Sequence, residues 1–181
     1  MKPLSSKLMK KFLTVAGEQL KGEWLLIGGT VLPILGIDLR VTTDIDLIPL
    51  NSKFSNSSVL ELMKLAEKLD LPIEAINHAG LYFLEKISDY RDCLVILHKG
   101  NSATIYRPDV NLFLRLKMAR LTESDLQDCL EFLKYAQRVG EKLNLESFHR
   151  EYKKEFARSK VDKEKRARLE KLNLAATSQG L

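Results

Sequence analysis

The chain has 181 residues, 45% of them hydrophobic and 29% charged, which suffices for one core or a compact core with an appendage. No apolar run approaches a membrane span. The first apolar stretch is short and broken at Gly17, Glu18 and Gln19, so neither a signal peptide nor an anchor is expected. Cys93 and Cys129 have apolar neighbours and no CxxC or Cys/His spacing, which argues against a zinc site or disulfide framework and for reduced thiols in a cytoplasmic protein.

Residues 5–20 place Leu8, Phe12, Val15 and Leu20 at helical spacing behind Ser5 or Ser6, predicting an N-terminal helix. Trp24 to Ile27 then read as a buried strand halted by Gly28 and Gly29. Thr30 is an acceptable helix N-cap, and Pro33 is tolerated in a first turn, so a helix is predicted from Thr30 to Leu35. Strand, glycines and helix start together expose backbone N–H groups where an anion could sit. The chain returns as Asp44-Ile45-Asp46-Leu47-Ile48-Pro49. Side chains alternate along a strand, so Asp44 and Asp46 share one face while Ile45 and Leu47 turn to the core. Two like charges on a half-buried strand repel and resist desolvation unless a cation lies between them, and hard carboxylate ligands suit Mg²⁺ or Mn²⁺. The competing reading of the same residues is an exposed sheet edge beside a tight turn.

Gly28, Gly29, Thr30, Arg40, Thr42, Asp44, Ile45, Asp46 and Leu47 together resemble the DNA polymerase β superfamily of nucleotidyltransferases. The resemblance is to its small bacterial branch, which includes type IV abortive-infection toxins and minimal nucleotidyltransferases. It implies a metal-dependent transfer of a nucleoside monophosphate from an NTP to a hydroxyl. In that role Asp44 and Asp46 hold Mg²⁺ or Mn²⁺, and Gly28, Gly29, Thr30, Arg40 and Thr43 face the nucleotide. A third carboxylate is implied further along the chain.

After a polar loop at residues 51–58, Leu60, Met63, Leu65, Ala66 and Leu69 predict a helix over Val59–Leu69. Pro72 restarts the chain, and Ile73, Ile76, Leu81, Leu84 and Ile87 suggest a broken helix interrupted near Asn77, His78 and Gly80. Leu94–His98 and Ala103–Tyr106, separated by Lys99-Gly100-Asn101, read as a hairpin extending the sheet. Neither of its strands carries an acid. Asp92 is the nearest candidate for the third carboxylate, then Asp89 and Asp109, and His98 is a candidate substitute on the face of Leu94 and Ile96.

Leu112–Leu121 is an apolar helix with Lys117 and Arg120 adjacent on its surface, and Thr122-Glu123-Ser124-Asp125 has capping-box form at the start of the next. A cap and salt bridge joining Arg120 to Asp125 or Asp128 is expected. Lys117, within an apolar face, either extends to the surface or enters a polar cleft. Lys117-Met118-Ala119-Arg120 followed by Asp125-Leu126-Gln127-Asp128 resembles a downstream motif of the same branch, which implies a catalytic, phosphate-contacting Lys117. Residues 143–176 are helical in composition, and Arg150–Lys171 holds ten Lys/Arg against five Asp/Glu, an excess equal to the net charge of +5 of the whole chain. A solvated helix laced with ion pairs is the expectation there, with a phosphate-rich partner such as tRNA as the other reading.

The fold expected is α/β (α+β): a small mixed-sheet nucleotidyltransferase core at 1–108, a C-terminal helical region at 109–176 packed on it, and a tail at 177–181. The resemblance implies an NTP substrate, a tRNA, protein or small-molecule acceptor, a cognate toxin or antitoxin, and no membrane. Two rivals are a catalytically silent nucleotide-binding module and a toxin–antitoxin interaction protein that caps a partner.

Overall fold

The computed structural model describes residues 6–37, 39, 44–50 and 56–178. It divides into two compact units, Met1–Pro108 and Asp109–Leu181. No helix among the described residues is long and apolar enough to cross a membrane.

The first unit is a mixed α/β sandwich. Helix α1 (Ser6–Gln19) leads to β1 (Gly22–Ile27), the single-turn helix α2 (Val31–Ile34) and β2 (Ile45–Pro49). Helix α3 (Asn56–Lys68), β3 (Ile76–Asn77), the single turn α4 (Leu81–Leu84), β4 (Leu94–Lys99) and β5 (Ala103–Pro108) follow. The five strands stand in the order β3-β2-β1-β5-β4. Strand β1 runs antiparallel to β2 and parallel to β5, β2 is parallel to β3, and β4–β5 is the expected antiparallel hairpin.

Two faces follow from the register, because directly paired residues share a face and alternate residues change it. Trp24, Leu26, Ile45, Leu47, Ile76 and Ile105 lie on one face, and all are buried. His98 pairs with Ile105 and so joins them. A Cβ on Gly17 of α1 would come within 2.8 Å of the His98 ring, which places α1 over this face. Leu25, Ile27, Asp46, Ile48, Asn77 and Tyr106 share the other face.

Three helical stripes differ from the sequence reading. The buried side of α1 centres on Met9, Phe12, Leu13 and Ala16, with Leu8 and Val15 at its margins. In α3, Leu62, Leu65 and Ala66 form the buried row, continued by Leu69 just past its end, whereas Leu60 and Met63 face water. Both shifts have one cause: several apolar residues in a row allow more than one phase at 3.6 residues per turn, and packing selects it. The third difference is larger. Residues 73–87 are a 3₁₀ turn at Ile73–Ala75, strand β3, and α4, not a broken helix. A parallel edge on β2 satisfies the backbone of Ile76 and Asn77 that a helix would have satisfied internally.

The second unit holds α5 (Val110–Met118), α6 (Glu123–Val139), α7 (Leu145–Arg158) and α8 (Lys163–Ser178). Phe113 stacks on Phe132 with ring centroids 4.3 Å apart, joining α5 to α6. The stretch read as continuously helical is two helices, parted at Ser159–Asp162. Its charges meet at that turn: Glu155 accepts from Arg158 at 2.9 Å and Lys165 at 3.0 Å, while Arg166 lies 4.1 Å over the Phe156 ring.

Candidate active site

The site is built at the open end of β1 and β2. Ile27 pairs with Asp46 in the antiparallel ladder, so the chain leaves β1 for the glycine turn beside the Asp46 side chain. Gly28 has φ of 80°, a left-handed conformation that a side chain makes costly. Here a Cβ would also lie 2.8 Å from Asp46 Oδ2, so the missing side chain leaves room for the carboxylate. Gly28→Ala is expected to lower stability by about 1–3 kcal/mol, from backbone strain together with displacement of Asp46. Chemical denaturation measures it, and an alanine variant as stable as the parent would show that the carboxylate moves aside freely.

Thr30 is fully buried, and its hydroxyl does not cap α2. It donates instead to the Asp44 carbonyl at 2.6 Å, tying the glycine turn to the start of β2 across fourteen residues of sequence. Helix α2 is a single turn, so its dipole contributes little toward the anion site expected at its start. Asp44 is exposed, Asp46 half-buried, and Ile45 between them fully buried. Pairing sets Asp46 on the face opposite α1, and Asp44 stands immediately before the strand. Arg40, Thr42 and Thr43 lie outside the described residues.

The candidates for a third acid stand apart from Asp46. Strand β4 is separated from β2 by β5 and β1, roughly 14 Å at the usual strand spacing. Asp89 and Asp92 stand in the 3₁₀ turn before β4. Arg91 of that turn donates to the Leu50 carbonyl, beyond the end of β2 and on the order of 13 Å along the strand from Asp46. Asp109 caps α5, accepting from Leu112 N and Asn111 Nδ2, each at 2.8 Å. Burial raises its pKa against those hydrogen bonds. His98 is excluded by a bulge at Leu97: Ile96 pairs with Tyr106 but His98 with Ile105, so His98 turns to the α1 face, away from Ile96 and Asp46.

The strand that does flank Asp46 is β3, and its paired residue is Asn77. The segment then crosses the site face, where a Cβ on Gly80 would run into Ile27 Cδ1 and approach Ile48 Cδ1 to 3.7 Å. A side chain at this position would require Ile27 to shift. Two residues carry no periodicity, so the only available signal was the turn chemistry of Asn77, whose Oδ1 accepts from Ala79 N at 2.9 Å.

Lys117 neither extends to solvent nor has an ammonium group without carboxylate partners. It is 8% exposed, and its Nζ donates to Asp125 Oδ1 at 2.9 Å and Asp128 Oδ2 at 2.7 Å. Arg120 adds two bonds to Asp125 at 2.8 and 2.9 Å, and the capping box with Thr122 is formed as expected. Burial alone would raise the Asp125 pKa. The Arg120 hydrogen bond, the Lys117 charge and the Thr122 hydroxyl overcome it and hold the carboxyl well below the usual carboxylate range. Burial pushes the neighbouring Cys129 thiol up, so it stays protonated and unreactive.

A family profile described as "Nucleotidyltransferase of unknown function (DUF6036)" matches residues 6–176. The chain belongs to this nucleotidyltransferase family. No curated protein and no solved structure matches it significantly. The nucleotidyltransferase match spans the sheet with its glycine turn and acidic strand, as well as the helices carrying Lys117 and Asp125.

Among the described residues of this nucleotidyltransferase family member, no group of three or more His, Cys, Asp or Glu side chains gathers as a metal site. Two carboxylates two residues apart, one of them packed against Gly28, fit in donor chemistry a hard cation such as Mg²⁺, which commonly takes one or two carboxylates and completes its shell with water and substrate phosphates.

Proposed function

We propose that the chain transfers a nucleoside monophosphate from an NTP to a hydroxyl acceptor, releasing pyrophosphate, with Asp44 and Asp46 as the residues that hold Mg²⁺ or Mn²⁺. The observation that carries the reading is the placement of the Asp46 carboxylate against Gly28, beside the turn joining β1 to α2. When bound, the cation supplies charge neutralisation at the triphosphate. The protein's own part is positional. The buried Ile45 and Leu47 fix β2 in the sheet, the Thr30 hydroxyl fixes the backbone at Asp44, and Gly28 and Gly29 let phosphates approach main-chain donors. Arg40 and Thr43 are assigned to the nucleotide on the motif alone. Lys117 is given no part in this reading, since Asp125 and Asp128 hold its ammonium group.

The acceptor class remains RNA, protein or a small molecule, and membership of a toxin–antitoxin or phage-defence system belongs to the same reading. Incubation with each labelled NTP, Mg²⁺ and total tRNA or protein tests it. Label transfer that disappears in Asp44→Ala is the expected result. Nucleotide binding without transfer in any mixture would instead favour the silent module, whose specific support is that no third acid gathers with Asp46 among the described residues.

A further inference from the structure

We infer that Asn77 is the third member of the proposed cation site, so that the centre is built from two carboxylates and one neutral amide. The inference rests on the assignment of Asp44 and Asp46 to the metal. Three structural facts converge on it. Asn77 is the direct parallel partner of Asp46, so its side chain leaves the sheet on the same face, at a strand spacing of roughly 4.8 Å. The residue is half-buried, and its Oδ1 is oriented by the Ala79 amide at 2.9 Å. The Gly80 turn, packed against Ile27 and Ile48 on that same face, anchors the segment immediately after it.

The consequence concerns charge. A third acid at this register would place three like charges on adjacent strands, a set that draws a free divalent ion strongly. With Asn77 the set carries two, and an amide oxygen is a weaker hard-ion donor than a carboxylate. Free cation therefore binds feebly, and the nucleotide's own phosphates supply the missing negative charge. On this account the site takes up its cation as the metal–NTP complex.

The test is a Mn²⁺ titration without nucleotide, followed by electron paramagnetic resonance, on the full chain and on Asn77→Asp and Asp46→Asn. An aspartate at 77 can still accept from the Ala79 amide, so the turn is retained, and thermal melting checks that the variant folds. Asn77→Asp is expected to tighten free Mn²⁺ binding about tenfold or more, as added ligand charge does in oxygen-ligated sites. Asp46→Asn is expected to lose binding. Should Asp46→Asn lose Mn²⁺ while Asn77→Asp matches the parent within twofold, Asn77 lies outside the site and the inference fails, with the metal assignment intact. Should all three bind Mn²⁺ equally, or none bind it even with NTP added, the assignment of Asp44 and Asp46 fails as well.

Discussion

Asp125→Ala is expected to cost about 3–5 kcal/mol of stability, the largest effect of any single substitution proposed for this chain, because it removes one of two carboxylates from a buried ammonium group. Asp125 is fully buried and accepts from Lys117, Arg120 and the Thr122 backbone and hydroxyl, so its removal breaks an ion pair and a helix cap together. Lys117 stays enclosed with Asp128 as its remaining carboxylate from this group. Glu131→Ala is the control. Its pair with Lys134 spans one turn of α6 with the lysine mostly in water, and such pairs contribute less than about 1 kcal/mol. Urea denaturation of both variants decides the matter, and equal effects would mean that the buried cluster contributes no more than a surface pair.

The same residue sets an acid limit. Its folded pKa lies below the unfolded value of about 3.9, so its contribution is complete above roughly pH 4 and is lost as pH falls further through the folded value. Parent stability should decline steeply below pH 4. Asp125→Asn should begin lower and decline less over that range, and parallel pH curves for the two proteins would contradict the assignment.

The second large effect is on chemistry. Asp46→Asn is expected to reduce nucleotidyl transfer by about 10²–10³-fold, the scale seen when one preorganised electrostatic group is lost from an active site. The amide matches the carboxylate in size, so the contact beside Gly28 is preserved and one of two like charges two residues apart disappears. Melting temperature should therefore hold steady or rise slightly while transfer collapses. Gly28→Ala gives the complementary pattern, since it strains the backbone and shifts the acid without removing its charge. A fully active Asp46→Asn enzyme would remove Asp46 from the mechanism.

What the sequence disclosed was what short-range chemistry determines. The capping box at Thr122–Asp125 was legible because a threonine and an acid three residues apart satisfy each other's backbone wherever the helix lies. Strand β2 was legible because buried Ile45 and Leu47 alternate with Asp46. Strand β3 was not, because its two residues acquire meaning only through pairing with Ile45 and Asp46, some thirty residues earlier. His98 misled for a related reason: one extra residue at Leu97 reverses the alternation, and a bulge leaves no mark in composition. For Lys117 the nearby acids were recognised, but the convergence of two of them on its amine depends on how α5 meets α6.

The ion pairs of α7 and α8 bear on the company this protein keeps. Lys165 and Arg168 donate to the Ala119 and Leu121 carbonyls at the end of α5, and Lys154, Arg158 and Lys165 each meet a glutamate of α7. Two glutamates of α7 thus offset part of this charge, while the excess of five cations over residues 150–171 is left without acids to balance it. A nucleic acid settling on these helices would release counterions through the lysines and arginines outside those pairs, and its affinity would fall as ionic strength rises.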